Sequence, residues 1–150
     1  MSSFLLPRII HSIIEIVQIS ISFVAELAYR RRVDGKCDVY SFGVLTIEVI
    51  MGKHPGDLLP YLSSLASAST STSVSNDRQI LLKDVIDQRL SQPVNQAAKD
   101  IVSSTKVAFS CLKGDPQLRP TMQQVVQALS RQSLPLPSSF STIKLGELFG

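Results

Sequence analysis

The side chains best able to do chemistry in this sequence are two cysteines and two histidines, and their spacing assembles no reactive site. Cys37 and Cys111 are far apart, and neither has a CxxC partner or a histidine at metal-ligand spacing. Two such thiols fit a reducing compartment at least as well as a disulfide. Both lie among apolar neighbours, so we predict that both are core residues and that the chain has no metal site.

Phosphoryl transfer would need a glycine-rich phosphate loop, a lysine that positions the phosphates, magnesium ligands and an aspartate beside the attacking hydroxyl. None of the seven glycines falls in a GxGxxG spacing, and Asp-Phe-Gly does not occur. His11 precedes a serine and His54 precedes a proline, so neither begins a His-Arg-Asp (HRD) catalytic-loop sequence. The sequence therefore predicts no catalytic residue and no cofactor-binding residue.

The composition is that of a globular chain, with 44% hydrophobic and 18% charged residues and a net charge of +3. The run from Arg30 to Arg32 can account for nearly all of the positive excess. Nucleic-acid binding surfaces usually show a broader basic face with interleaved aromatic residues. We therefore expect this run to be a solvated surface turn, with no nucleic acid among the partners.

From residue 38 onward, apolar spacing predicts a mainly α fold. Residues 38–51 are apolar around nearly the whole helical circumference, so this helix is expected to be buried on all sides. Asp38 is the predicted N-cap of the helix, and Gly52 is its predicted stop. A small domain rarely contains a helix this enclosed unless it is the central one, so we expect this helix to be the central one.

Three further helices are expected after this one. The first follows Asp77 and carries one apolar stripe as far as residue 90. The next follows Asn95 and is predicted to end at Gly114. The last opens at a capping box formed by Thr121 and Gln124.

Three segments are predicted to lie outside this helical assembly. Residues 63–75 are rich in serine and threonine and are expected to form a mobile loop. Residues 4–24 change from helical to strand-like spacing, and Arg8 and Glu15 interrupt them, which disfavours a membrane span. A third hypothesis, a membrane-anchored helical protein, depends on residues 4–24. Residues 132–150 are expected to be a disordered tail.

Several short motifs resemble one protein family when they are taken in order. Residues 26–29 (ELAY) and 36–44 (KCDVYSFGV) resemble the start of the central helix in the C-lobe of protein kinases. Residues 118–122 (LRPTM) resemble the Arg-Pro signature before the last kinase helix. The series is similar to plant receptor-like Ser/Thr kinases, especially the leucine-rich-repeat type. It covers about residues 25–131 and leaves 1–24 as a non-kinase segment of unclear origin.

The resemblance implies a partial kinase C-lobe, from the end of the activation segment through the last helix, with a Ser/Thr-rich loop insertion. In the family, the aspartate at Asp38 accepts hydrogen bonds from the catalytic-loop backbone, and the glutamate at Glu26 pairs with the arginine at Arg119. From the residues alone, Asp38 is a helix cap and the other two are surface charges. The chain departs from the family before Glu26, where it reads Val-Ala instead of Ala-Pro.

Two functions follow as expectations. The first is a fragment of a receptor-like Ser/Thr kinase that is inactive by itself, without the Mg-ATP of intact family members. The alternative is a non-catalytic helical interaction module derived from a kinase C-lobe. Partners would be other kinase domains or proteins that bind an exposed apolar C-lobe surface. Intact members are plasma-membrane receptors with a cytosolic kinase domain, whereas a soluble fragment would be cytoplasmic.

Overall fold

In a computed structural model of the chain, the described residues are 35–56, 58–67, 80–131, 134–136 and 138–149. Their helices are α1 (Gly35–Met51), α2 (Leu58–Ser67), α3 (Leu82–Val85), α4 (Asn95–Cys111), α5 (Met122–Ser130) and α6 (Leu145–Phe149), with 3-10 helices at Pro116–Leu118 and Phe140–Thr142. Extended pairing among these residues is limited to one isolated bridge, between Leu81 and Lys144. The prediction of a mainly α fold is confirmed.

The two ends of α1 differ in how well local sequence predicted them. The helix stops at Met51, and Gly52 follows with a φ of 68°. That left-handed conformation is the usual helix stop for glycine, so this part of the prediction is confirmed. The helix begins at Gly35, however, so Asp38 lies in its first turn and the prediction of an N-cap there was wrong. A carboxylate in the first turn still stabilises the helix through its dipole.

One face of α1 is buried rather than its whole circumference. The buried residues lie three or four apart and include Val39, Phe42, Ile47 and Ile50. Leu45 lies on the opposite side and is 51% exposed. The prediction of burial on all sides was wrong because the main partner of α1, helix α4, packs along one side only.

Helices α1 and α4 are in close contact at Gly43. A Cβ atom at this position would lie 2.9 Å from the Cβ of Cys111 and 3.0 Å from the carbonyl oxygen of Ala108. Ala108 and Cys111 are themselves fully buried. Only a residue without a side chain allows the two backbones to come this close.

The two thiols have different surroundings. Cys111 is buried in the interface between α1 and α4, as predicted, whereas Cys37 is exposed in the first turn of α1. The expectation that Cys37 is a core residue was therefore wrong. Its apolar neighbours in sequence face the core, but a helix places residue 37 on the same exposed strip as Ser41 and Leu45, at intervals of four.

Regular structure between α1 and α4 also differs from the expectation. Helix α2 extends through Ser67, so the first five residues of the predicted loop at 63–75 are helical. In the next segment only Leu82–Val85 forms a helix, where the sequence predicted a helix through residue 90. Helix α3 ends early because the chain turns back toward α1, and the Asp87 N–H donates to the Ile50 carbonyl at 2.9 Å.

The helices α4 and α5 follow their local signals more closely. Helix α4 begins at Asn95 itself, one residue before the predicted start, with Val94 as its N-cap. Helix α5 begins after a complete capping box of Thr121 and Gln124, so its start is confirmed. The predicted stop at Gly114 was wrong, since α4 ends at Cys111 with Leu112 as its C-cap. Among the described residues, Gly52 is the glycine with a positive φ, so Gly114 has no left-handed conformation to end a helix.

The segment after α5 is ordered where the structure describes it, which corrects the prediction of a disordered tail. Its buried apolar residues join the main core, namely Phe140, Ile143, Leu145, Leu148 and Phe149. The Phe149 ring lies 5.6 Å from that of Phe109. The backbone also binds α3, because the Leu82 N–H donates to the Ile143 carbonyl at 2.9 Å. Apolar residues near the C-terminus therefore outweigh the Pro-Ser stretch that suggested disorder.

Several predictions fall outside the described residues. These concern residues 1–24, the Arg30–Arg32 run, Glu26, Asp77 and the loop from residue 68 to residue 79. Among the helices that are described, none is both long enough and apolar enough to cross a bilayer.

We expect Gly43→Ala to destabilise the chain by about 1–2 kcal/mol, because overpacking at a close helix contact outweighs the gain in helix propensity. Gly35→Ala is the matched control, since no atom lies within 4 Å of a Cβ there. Urea unfolding followed by circular dichroism measures both changes. Equal stabilisation by the two substitutions would contradict the close approach at Gly43.

Candidate functional site

The start of α1 and the connection between α4 and α5 meet at the guanidinium of Arg119. Its Nε donates to the Lys113 carbonyl at 2.7 Å, and its Nη1 donates to the Lys36 carbonyl at 3.1 Å. Its Nη2 donates to the Gly114 carbonyl at 3.2 Å. One planar side chain thus binds carbonyl groups from two parts of the chain, which its rigid array of donors makes possible.

The ring of Tyr40 lies against the same guanidinium, with 4.7 Å between Cζ of Arg119 and the ring centroid. Arginine stacks well on an aromatic face because its charge is delocalised over a planar group. Lys36 adds a reciprocal bond, since its ammonium donates to the Arg119 carbonyl. We call this group, formed by Lys36, Tyr40, Lys113, Gly114 and Arg119, the Arg119 brace.

Local sequence places Arg119 where it can make these contacts. The side chain of Asp115 accepts from the Gln117 N–H at 2.8 Å and caps the 3-10 helix Pro116–Leu118. Pro116 fits the first position of that helix because it needs no N–H donor there. Arg119 follows as the C-cap, and Thr121 then caps α5. The arginine is therefore fixed between two capped turns.

The residues predicted by resemblance are only partly brought together. Arg119 is half-buried and donates three hydrogen bonds within the brace, so it is no simple surface charge. Glu26 lies outside the described residues, so its pairing with Arg119 remains a prediction. Asp38 is half-buried in the first turn of α1, and its carboxylate accepts no hydrogen bond from any described residue. Its role toward a catalytic loop also remains a prediction.

Lys36 and Tyr40 belong to the motif at residues 36–44, but the sequence analysis assigned them no role. Their spacing of four residues places both on one face of α1, which is the available signal that they share a partner. Gly43 was likewise missed, although a glycine inside an otherwise apolar helix indicates either a defect or a close contact.

A second link joins the end of α1 to the chain after α3. The Arg89 guanidinium donates to both carboxylate oxygens of Asp87, at 2.7 Å for the shortest contact, and to the Gly52 carbonyl at 3.3 Å. The hydrogen bonds from the Arg89 side chain and from its backbone N–H lower the pKa of Asp87 from 3.8 to about 2. Asp87 therefore stays ionised and keeps this link intact at neutral pH.

The chemistry available at these sites is structural. Burial raises the pKa of the Cys111 thiol to about 11, so it stays protonated and is a poor nucleophile at neutral pH. Within the described ranges, no three His, Cys, Asp or Glu side chains form a group that could hold a metal ion. The hydrogen bonds of the Arg119 brace go to backbone carbonyls and join the start of α1 to the connection between α4 and α5.

Comparison with known proteins identifies the family. The family model described as protein tyrosine and serine/threonine kinase matches residues 15–129. The chain belongs to the protein kinase family. The match begins at residue 15, ahead of the start near residue 25 that the motifs suggested. Both the Gly43 contact and the Arg119 brace lie inside the matched part of this kinase chain.

Curated relatives of this kinase segment are plant receptor-like kinases from Arabidopsis thaliana. MDIS1-interacting receptor like kinase 2 is 47% identical over 105 residues, which is 70% of this chain and 9% of that protein. A probable leucine-rich repeat receptor-like protein kinase is 39% identical over 105 residues, 70% of the chain and 8% of the relative. A leucine-rich repeat receptor-like serine/threonine-protein kinase is 34% identical over 126 residues, 78% of the chain and 10% of the relative.

This kinase chain therefore spans about a tenth of the length of those relatives. No solved structure matches it. The family match and the helical architecture together confirm the predicted fold class, a mainly α part of the kinase C-lobe. The curated relatives confirm the resemblance to plant leucine-rich-repeat receptor-like kinases.

Replacing Arg119 by lysine keeps the charge but removes the fork of donors, so at least one brace carbonyl loses its partner. We expect Arg119→Lys to lower the free energy of unfolding by about 1–2 kcal/mol. Arg131→Lys, at an exposed arginine beyond the end of α5, is the matched control and should leave stability unchanged. Urea unfolding of both variants measures the difference. Equal stability of the two would show that the Arg119 brace contributes nothing.

Proposed function

We propose that the chain serves as part of the helical base of the C-lobe in a receptor-like Ser/Thr protein kinase, and that it does not transfer phosphate by itself. The observation that carries this proposal is the family match over residues 15–129. The sequence supports the second half, since it has no glycine-rich phosphate loop, no HRD sequence and no Asp-Phe-Gly.

Phosphoryl transfer depends mainly on positioning and on electrostatic stabilisation of the transferred group. A base that fixes the backbone of the catalytic loop contributes to both, because small misplacements of reacting groups slow a reaction strongly. The close packing of α1 and α4 supports this role, since their contact at Gly43 leaves no room for a methyl group. In a complete kinase domain, Mg-ATP would be held by the glycine-rich loop, the positioning lysine and the magnesium ligands.

Two side chains of this chain would act on the rest of the kinase domain. The Asp38 carboxylate would accept hydrogen bonds from backbone N–H groups of the catalytic loop, as the resemblance implies. Such bonds to an ionised carboxylate are short and strong. Its half-buried position in the first turn of α1 supports this role. Glu26 would pair with Arg119 and connect the activation segment to the Arg119 brace.

The proposal predicts that the purified chain transfers no phosphate. Incubation with radiolabelled Mg-ATP and a general protein substrate should give incorporation equal to a blank without protein. Phosphate incorporation above the blank, in an activity that co-elutes with the protein in gel filtration, would contradict the proposal that the chain transfers no phosphate by itself.

A second experiment, on a chimeric kinase, tests the proposed role of the chain as the base of the C-lobe. Residues 25–131 would replace the aligned segment in MDIS1-interacting receptor like kinase 2, to which the chain is 47% identical. The graft should retain activity, and Asp38→Asn within it should lower kcat by about ten- to hundredfold through weaker hydrogen bonds to the catalytic loop. Asp84→Asn, at an exposed carboxylate on α3, is the matched control. A folded but inactive graft, or equal loss from both substitutions, would overturn the proposed role.

A further inference from the structure

A groove with a volume of about 480 Å³ lies between α4, the end of α5 and the segment that follows α5. Five residues of α4 line it, at intervals that keep them on one side of the helix: Lys99, Val102, Ser103, Lys106 and Val107. Ala128 and Arg131 line it from the α5 side. The groove is large enough to take one or two apolar side chains, since ligand pockets begin at about 300 Å³.

The wall and floor of the groove are apolar. Val102 is buried at its base, and Val107 and Ala128 are half-buried beside it. The outer wall is formed by Leu134, Pro135 and Leu136. Leu134 is 82% exposed, the largest exposure among the large hydrophobic side chains of the described residues. The exposed side chain of Leu134 and the apolar lining of the groove form one contiguous apolar surface, and such a surface marks an interaction site.

Among the described residues, the charges on the rim of the groove are all positive. Lys99, Lys106 and Arg131 line it, and no acidic residue is among the described residues that do. The nearest carboxylate along α4 belongs to Asp100, which accepts a hydrogen bond from Gln96 at 2.8 Å and does not line the groove. The three cations are therefore available to attract an occupant of opposite charge.

We propose that this groove docks an acidic peptide segment that carries a central leucine-like side chain. The apolar side chain would enter between Val102, Val107 and Leu134, and flanking carboxylates would meet the lysines. Lys99 and Lys106 are seven residues apart on α4, which corresponds to about 10 Å along the helix axis. An extended peptide covers about the same distance in three residues, so a segment such as Glu-Asp-Leu-Asp-Glu can reach both lysines.

The positive charge on the rim of the groove favours binding of an acidic peptide over a purely apolar one. Complementary charge increases the association rate and selects the partner, and a buried apolar anchor supplies most of the affinity. This surface lies on the side of α4 that faces α5, so docking there does not use Asp38 or any residue assigned to phosphoryl transfer. The inference thus goes beyond the proposed function and can fail separately from it.

The experiment uses the full chain and a fluorescein-labelled peptide, Gly-Glu-Asp-Leu-Asp-Glu-Gly, followed by fluorescence anisotropy at 50 mM and 150 mM NaCl. We expect saturable binding that weakens with salt, as exposed charges are screened over about 10 Å at 0.1 M. The same peptide with serine in place of leucine should bind about tenfold or more weakly, because it loses the apolar anchor.

Charge reversal in the protein separates the groove from general attraction. Lys99→Glu with Lys106→Glu should weaken binding about tenfold or more. The matched control, Lys53→Glu with Lys83→Glu, makes the same change in net charge away from the groove and should have a small effect. Leu134→Ser should weaken only the leucine peptide, whereas Leu118→Ser, at another exposed leucine, should not. Circular dichroism confirms that each variant remains helical.

Three results would overturn the proposal. The first is no saturable binding of the peptide. The second is equal weakening by the two charge-reversal pairs, or equal affinity for the leucine and serine peptides, because either shows non-specific attraction to a basic surface. The third is binding to vesicles that contain phosphatidylserine, lost with Lys99→Glu and Lys106→Glu, without binding of the peptide. That result would assign the groove to an anionic membrane surface instead.

Discussion

The fold depends on how closely α1 and α4 can approach at Gly43. With no side chain at this position, the α1 backbone lies against Ala108 and Cys111, and the apolar residues on either side interlock. The main core extends from this contact to α2, α3 and the C-terminal segment, and a smaller cluster of Val39, Phe42, Cys111 and Val125 connects it to α5. A bulkier residue would separate the two helices and loosen both clusters, because protein interiors leave little free volume.

The same contact sets the position of the Arg119 brace. The guanidinium can reach the Lys36 carbonyl only if the first turn of α1 lies beside the end of α4, where Lys113 and Gly114 are found. Packing in the core and hydrogen bonding at the surface are therefore two parts of one arrangement. In a kinase, that arrangement would present Asp38 at a fixed place on α1.

Features governed by neighbouring residues could be predicted from the sequence. The capping box at Thr121 and the stop at Gly52 depend on a few adjacent positions, and both occur as expected. Features governed by distant residues could not. Helix α3 is short because Asp87 binds back to Ile50, and the C-terminal segment is ordered because Phe149 packs on Phe109. The apolar spacing of residues 38–51 likewise predicted a helix, but it could not show that only one face of that helix would be buried.

The candidate site was predictable in part. Arg119 could be singled out because its Arg-Pro motif resembles a family signature, but its partners are backbone carbonyls, which every residue carries and no sequence motif marks. The cationic groove could not be predicted, since Lys99 and Lys106 share one face of α4 but only the fold brings Arg131, which follows α5, beside them. Its acidic partner is inferred from that juxtaposition of charge and apolar surface.

The central claim is that α1 and α4 form one closely packed unit, and native-state hydrogen exchange of the backbone amides tests it most directly. Residues 42–50 of α1 and 101–111 of α4 should be the most protected and should share one opening free energy, because neither helix can open without breaking the contact at Gly43. The account is contradicted if the amides of α1 exchange at unfolded-chain rates while those of α4 remain protected.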